Sequence, residues 1–295
     1  MQTDVVTNLI LPISLFIIMF GMGLSLTLSD FKRVASQPKA ALVGIISQFI
    51  ALPIVAFIIA SAVNLSPELA VGLMIIAFAP GGVTSNMFVN LAKADLALSI
   101  SLTAVISLLA PFTIPLLTYL AMNHFMEAGQ RIELPIIKTI IQLLVITVLP
   151  VSLGMLASRQ WPKVANRLEQ KLKLFSVLFL FFIVLTICIQ NRAELVSFFI
   201  ETGIATLILN ITALILGYWI AKAYRLNKAQ TITIGFEVGI QNGTLAILIA
   251  GTLLSNATMV IPAATYSIFM FITGFIFLQI IKPKSQRILD TKNHA

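Results

Sequence analysis

Charge is scarce in this sequence: 10% of its 295 residues are Asp, Glu, Lys or Arg, where a soluble domain carries roughly 25%. Cysteine is nearly absent. Cys188 stands alone inside an apolar run, which excludes an intrachain disulfide and a cysteine metal cluster. Histidine occurs twice, as His124 in an expected loop and His294 near the C-terminus. Neither has the neighbours that a metal site or a catalytic triad requires. What remains is 59% hydrophobic, a composition that calls for a membrane protein. The net charge of +8 is spread between apolar runs instead of forming a patch or an arm, so nucleic-acid binding is not indicated. Asp4 precedes the first apolar run and no Lys or Arg does, so that run reads as a retained helix and not as a cleaved leader.

Nine apolar runs are long enough to cross a hydrocarbon core roughly 30 Å thick. Their limits are 5–28, 39–61, 68–92, 95–121, 134–157, 170–190, 200–222, 230–254 and 258–281. The connections are short. Placing the N-terminus outside puts Lys32, Arg33, Lys39 and Lys93 on the cytoplasmic side. Arg159, Lys163, Arg167, Lys171, Lys173, Lys222, Arg225, Lys228 and the tail join them, leaving Arg131, Lys138 and Arg192 outside. That asymmetry fixes the count at nine and the C-terminus in the cytoplasm. The expected fold is an all-α polytopic membrane protein. Its two halves would have inverted topology: residues 1–128 with four spans and residues 129–295 with five.

Two spans are interrupted. The third contains Ala79-Pro80-Gly81-Gly82-Val83-Thr84-Ser85-Asn86, and the eighth Gly235-Phe236-Glu237-Val238-Gly239-Ile240-Gln241-Asn242-Gly243. Proline removes a backbone donor and glycine weakens a helix. Pro80, Gly81, Gly82, Gly239 and Gly243 are therefore the expected breaks. The two spans run in opposite senses and lie five spans apart. Such pairs of broken helices mark the central site of a transporter, whereas a single kink would be ordinary in a membrane helix.

Glu237 is the one acidic residue well inside a span. A carboxylate there costs on the order of several kcal/mol unless it is paired, protonated or bound to a cation. No Lys or Arg lies at matching depth. Neutral oxygen donors do: Ser85, Asn86, Gln48, Gln241, and Ser99 with Thr103 on one helix face. Hard monovalent cations favour such oxygens and the carbonyls freed where a helix unwinds. Each of these residues taken singly reads as an interhelical hydrogen bond; gathered around one carboxylate they indicate an ion site. Backbone N–H groups at the second halves of the broken spans, near Ser85 and Asn242, would suit an anion. Gln142 and Asn210 carry no second signal and read as interhelical contacts.

At these residues the sequence resembles the bile acid:sodium symporter family, as a bacterial relative of the apical sodium-dependent bile acid transporter type. The matching pieces are Phe20-Gly21-Met22-Gly23-Leu24, Ala79-Pro80-Gly81-Gly82 with Ser85-Asn86, Leu98-Ser99 with Leu102-Thr103, and Glu237-Val238-Gly239-Ile240-Gln241-Asn242. The resemblance implies a core domain of spans 2–4 and 7–9, with two crossed discontinuous helices, and a panel domain of spans 1, 5 and 6. It implies two transported sodium ions. Ser85, Asn86, Ser99, Thr103 and Glu237 would hold the first. Gln48, Glu237, Gln241 and the carbonyls of Val238 and Ile240 would hold the second. The substrate would lie across the crossing, near Thr84, Asn86 and Asn242. The chain departs from ten-span bacterial members by lacking a first helix. It also has Phe269-Met270-Phe271 and Val83 where relatives place polar groups. The expected activity is sodium-coupled symport of a small organic anion by alternating access in a bacterial inner membrane. The anion would be bile-acid-like or a pantoate- or keto-acid-like carboxylate. The alternative is a proton-coupled carrier or exporter using Glu237 as its proton site. An enzyme is not expected, because the spans offer no facing nucleophile or metal ligands. A channel would want rings of like residues.

Overall fold

The computed structural model describes residues 9–127, 129, 132, 134–190 and 195–281. Asp4, Arg131, Arg192 and His294, used above, lie outside the described residues. The described chain is helical throughout. We label the helices α1 (Leu11–Leu24), α2 (Leu28–Ser36), α3 (Pro38–Ala62), α4 (Pro67–Phe78), α5 (Val83–Leu91) and α6 (Leu96–Phe125). They continue as α7 (Ile136–Gln160), α8 (Pro162–Gln190), α9 (Leu195–Ala223), α10 (Lys228–Gly239), α11 (Gly243–Leu248) and α12 (Ala257–Ile281). Among the described residues seven helical stretches are long and apolar enough to span a membrane, α10 and α11 counting together, and nine if each bent pair is one span. The protein is an all-α polytopic membrane protein.

The first span is shorter at its C-terminal end than expected. α1 stops at Leu24 and the chain turns by 66° into α2. Thr27 begins α2: its backbone N–H and its hydroxyl both donate to the Asp30 carboxylate, at 2.8 and 2.7 Å. The Asp30 carboxylate reaching back to the Thr27 N–H is the returning half of a capping box, which starts a helix. α2 has no buried residue and carries Lys32 and Arg33, so it is a surface helix rather than a continuation of the span. At the other extreme, α8 and α6 outrun their expected limits. α8 begins at Pro162, so Lys163 and Arg167, expected before the span, lie on helix with Lys171 and Lys173. α6 runs to Phe125 and carries His124 in its last turn, against the ring of Phe57 at 4.7 Å.

Apart from Pro80, prolines inside the spans are absorbed without breaking them. A π-helical turn at Ser47–Ala51 precedes Pro53, and another at Leu144–Val148 precedes Pro150. The wider turn accommodates the missing N–H and the ring.

Helix α1 packs along α7 and α8. Its contact with α7 is backbone to backbone, since a Cβ on Gly154 would lie 2.9 Å from Gly23 Cα. Small residues permit such approach in membranes. α9 packs on α10 and α12, α12 on α4, and α4 on α6. The window spanning α10 and α11 is 94% buried, against 22% for α7 and for α8. The broken helix is therefore sheathed by protein, a setting in which irregular backbone is tolerated at membrane depth. α7 and α8 instead present large apolar faces outward, including Ile141, Leu149, Phe181 and Leu185.

Candidate functional site

Both expected breaks occur where the glycines and proline stand. α4 ends at Phe78, the chain passes through Ala79–Gly82 in extended form, and α5 leaves at an angle of 58°. α10 ends at Gly239, with Ile240 extended at φ −112° and ψ 105°. The two breaks touch: the Asn242 N–H donates to the Pro80 carbonyl at 2.8 Å. Asn242 also caps α11, its Oδ1 accepting from Leu245 N–H at 3.0 Å.

On one side of this crossing lies Glu237, 1% exposed. Its carboxylate accepts from Ser99 Oγ at 2.9 Å and from the Thr103 hydroxyl. Ser99 Oγ also lies 2.7 Å from Asn86 Oδ1, and one hydroxyl proton cannot serve both acceptors at once. Ser85 Oγ donates to the Gly82 carbonyl at 2.9 Å and accepts from the Gly82 N–H at 3.0 Å. Gly81 completes the wall. A Cβ there would sit 2.5 Å from Glu237 Oε1 and 2.9 Å from Ser85 Oγ. Among the described residues no Lys or Arg pairs with Glu237; the ion pair present joins Lys173 and Glu169 along α8. The result is a buried cluster of oxygens with fewer protons than lone pairs, of the kind that accepts a cation.

Next to it, Gln48 and Gln241 face one another as reciprocal amides. Gln48 Nε2 donates to Gln241 Oε1 at 3.1 Å and Gln241 Nε2 to Gln48 Oε1 at 3.3 Å. Gln241 Nε2 reaches the Val238 carbonyl at 2.6 Å, and Gln48 Nε2 the Ala79 carbonyl at 2.8 Å. Gln48 sits in the π-helical turn of α3. All the side chains expected around the ions are thus brought together.

On the opposite side of the crossing is a narrow cleft with a cavity volume of about 10 Å³. Thr84, Asn242 and Gly243 line it from the broken helices, and Met19, Ser176 and Leu180 from α1 and α8. Its walls nearly meet. Thr84 and Asn242 face it as expected, whereas Asn86 turns its Oδ1 to Ser99 on the ion side. Gln142 is exposed on α7. Asn210 is an interhelical contact, but a directed one. It donates to the Gly239 carbonyl at 2.7 Å and accepts from Thr273. Sequence reasoning missed the partners Tyr266 and Thr273. The available signal was a mid-span amide in the span just before a broken one, which Asn210 shares with Gln48.

A polytopic membrane protein with two broken helices touching at its centre, an acidic oxygen cluster on one side and a cleft on the other, has the build of a secondary transporter. The profile of the Sodium Bile acid symporter family matches residues 12–198, and the chain belongs to that family. It is accordingly a transporter and not an enzyme. It is 31% identical over 90% of its length to an uncharacterized sodium-dependent transporter of Bacillus subtilis, covering 80% of that protein. It is 30% identical over 93% of its length to the human ileal sodium/bile acid cotransporter, covering 79%. A probable chloroplastic sodium/metabolite cotransporter of rice, BASS2, is 30% identical over 93% of this chain, which spans 63% of the rice protein.

Proposed function

We propose that this protein is a sodium-coupled symporter of a small organic anion, and that Glu237 is the residue on which the coupling turns. The supporting observation is a carboxylate 1% exposed, facing hydroxyl and amide oxygens, with no cationic side chain among the described residues beside it. Leaving a bare charge in this position is costly, and a dehydrated sodium ion supplies the missing positive charge. The first ion would be held by Ser85, Asn86, Ser99, Thr103 and Glu237. The second would be held by Gln48, Glu237, Gln241 and the carbonyls of Val238 and Ile240.

The anion would occupy the cleft beside Thr84 and Asn242, its head group toward the start of α5 and its body against Met19 and Leu180. Asn86, whose Oδ1 faces Ser99 on the ion side, would link cation and cleft through α5, which also carries Thr84. The cleft is nearly closed, with Thr84, Ser176 and Asn242 beside Met19 and Leu180, and would widen to take a bile-acid-like or a pantoate- or keto-acid-like carboxylate. α3–α6 and α9–α12 would form the core, and α1, α7 and α8 the panel against which it moves to expose the site to either side in turn. By the distribution of basic residues the C-terminus would lie in the cytoplasm of a bacterial cell and the N-terminus outside.

Thermal unfolding of the purified protein in sodium against potassium tests this reading. Sodium should raise the melting temperature in a saturable manner and potassium should not, and Glu237→Ala should abolish the difference. Equal stability in the two salts, with stability following pH instead, would replace sodium with a proton as the coupling ion.

A further inference from the structure

The break in α10 leaves a carbonyl that the helix no longer uses. In a continuous helix the Gly239 carbonyl would accept from the N–H of Gly243; here that N–H bonds to the Gln241 carbonyl at 3.0 Å. Gly239 O instead accepts from Asn210 Nδ2 at 2.7 Å and from Tyr266 Oη at 2.9 Å. The donors come from different helices, α9 and α12. Thr273, two turns beyond Tyr266 on α12, donates to Asn210 Oδ1 and so fixes which way the amide faces. All three are buried: Asn210 0%, Tyr266 1% and Thr273 6% exposed.

The other end of the same peptide plane is held as well, since Ile240 N–H donates to Phe236 O at 2.8 Å. A peptide unit is rigid, so a plane fixed at its C=O and at its N–H is fixed in orientation. The carbonyls on either side of it belong to Val238 and Ile240. The first break is treated the same way: the carbonyl of Ala79, just after α4, is tied by an amide from the preceding span, Gln48 Nε2 at 2.8 Å. Gly239 itself must be glycine for the clamp to close, because a Cβ would lie 3.1 Å from Leu214 Cα on α9 and nearer still to its side chain.

We infer that Asn210, Tyr266 and Thr273 are positioning residues for the second sodium ion, acting through the clamped Gly239–Ile240 peptide to aim the Val238 and Ile240 carbonyls. The inference rests on the sodium reading above. Groups that orient metal ligands from behind typically change affinity by roughly tenfold or more when removed. Their loss should weaken one of two ions and leave the other.

The test is a sodium titration of melting temperature, reading both midpoint and steepness, in wild type, Asn210→Ala, Tyr266→Phe and Thr206→Val. Thr206 is a control: it is buried on α9 one turn from Asn210, but its hydroxyl bonds only to its own helix at Thr202 O and Gly203 O. Wild type should respond with a steepness approaching about two, as for two coupled ions. Tyr266→Phe, which keeps the ring, and Asn210→Ala should move the midpoint roughly tenfold upward and bring the steepness toward one. Thr206→Val should keep the wild-type midpoint and steepness. Should Asn210→Ala fail to fold, Tyr266→Phe carries the result. Clamp variants that melt earlier in potassium but keep the wild-type midpoint and steepness would overturn the inference while leaving the sodium reading intact. So would an equal shift in Thr206→Val. A wild type indifferent to sodium would overturn both.

Discussion

Glu237 tolerates its depth because every side chain that bonds to it ends in an oxygen able to turn toward it or toward a cation. The space it occupies is shaped by what is missing from Gly81. A methyl group there would stand 2.5 Å from the carboxylate oxygen and 2.9 Å from Ser85 Oγ, so the side chains of the cluster itself would have to give way. Gly81→Ala should therefore displace Glu237 from Ser99 and Thr103, at an overpacking cost of about 1–3 kcal/mol. A sodium titration of melting temperature should show the variant's midpoint raised by roughly tenfold or more, and an unchanged midpoint would mean that Glu237 does not need this wall. The cluster itself was legible in the sequence, because depth in a span and the four-residue spacing of Ser99 and Thr103 are one-dimensional properties. Gln48 and Gln241 were named for one site, but the bonding of their amides to each other was not legible. The two lie on different spans, and only the crossing of the two breaks sets them face to face. Tyr266 was invisible for a related reason: a tyrosine in an apolar helix reads as packing until its hydroxyl is seen on a carbonyl.

Elements divide into those that serve the site and those that carry its neighbours. Both broken spans were legible, since proline and paired glycines interrupt otherwise apolar runs and the backbone does break there. The end of α1 was less so. Hydropathy alone carries the first run to residue 28, while the local signal, Thr27 three residues before Asp30, starts a new helix and wins because it satisfies otherwise unpaired donors. π-helical turns also escaped sequence reading, although those at Ser47–Ala51 and Leu144–Val148 stand just before a proline. The contact of α1 with α7 depends on Gly23 and Gly154 and lies outside the ion cluster. Gly154→Leu should force these helices apart and lower the melting temperature, with an overpacking cost of about 1–3 kcal/mol. Its sodium midpoint should match wild type. A shifted midpoint would show that the ion cluster depends on this helix pair.

At the scale of the whole molecule, the packing places α1, α7 and α8 together and the two broken helices among α3, α6, α9 and α12. The cleft lies where these groups meet, lined by Met19 and Ser176 from one and by Thr84 and Asn242 from the other. Sliding or rocking at that seam would open the cleft without disturbing the hydrogen bonds of the crossing, which all lie within the second group. The number of spans and their apolar faces were read from composition and run length. The seam was not, since which apolar face meets which is decided by shape and by close glycine contacts that hydropathy does not encode. The central claim is that one carboxylate completes two sodium sites. Equilibrium binding of radioactive sodium to the purified protein, counted per chain, tests it most directly. Two ions per chain in wild type and none in Glu237→Gln, at a sodium concentration that saturates wild type, is the predicted result; a wild type that binds no sodium, or a Glu237→Gln variant that binds as many ions as wild type, would contradict it.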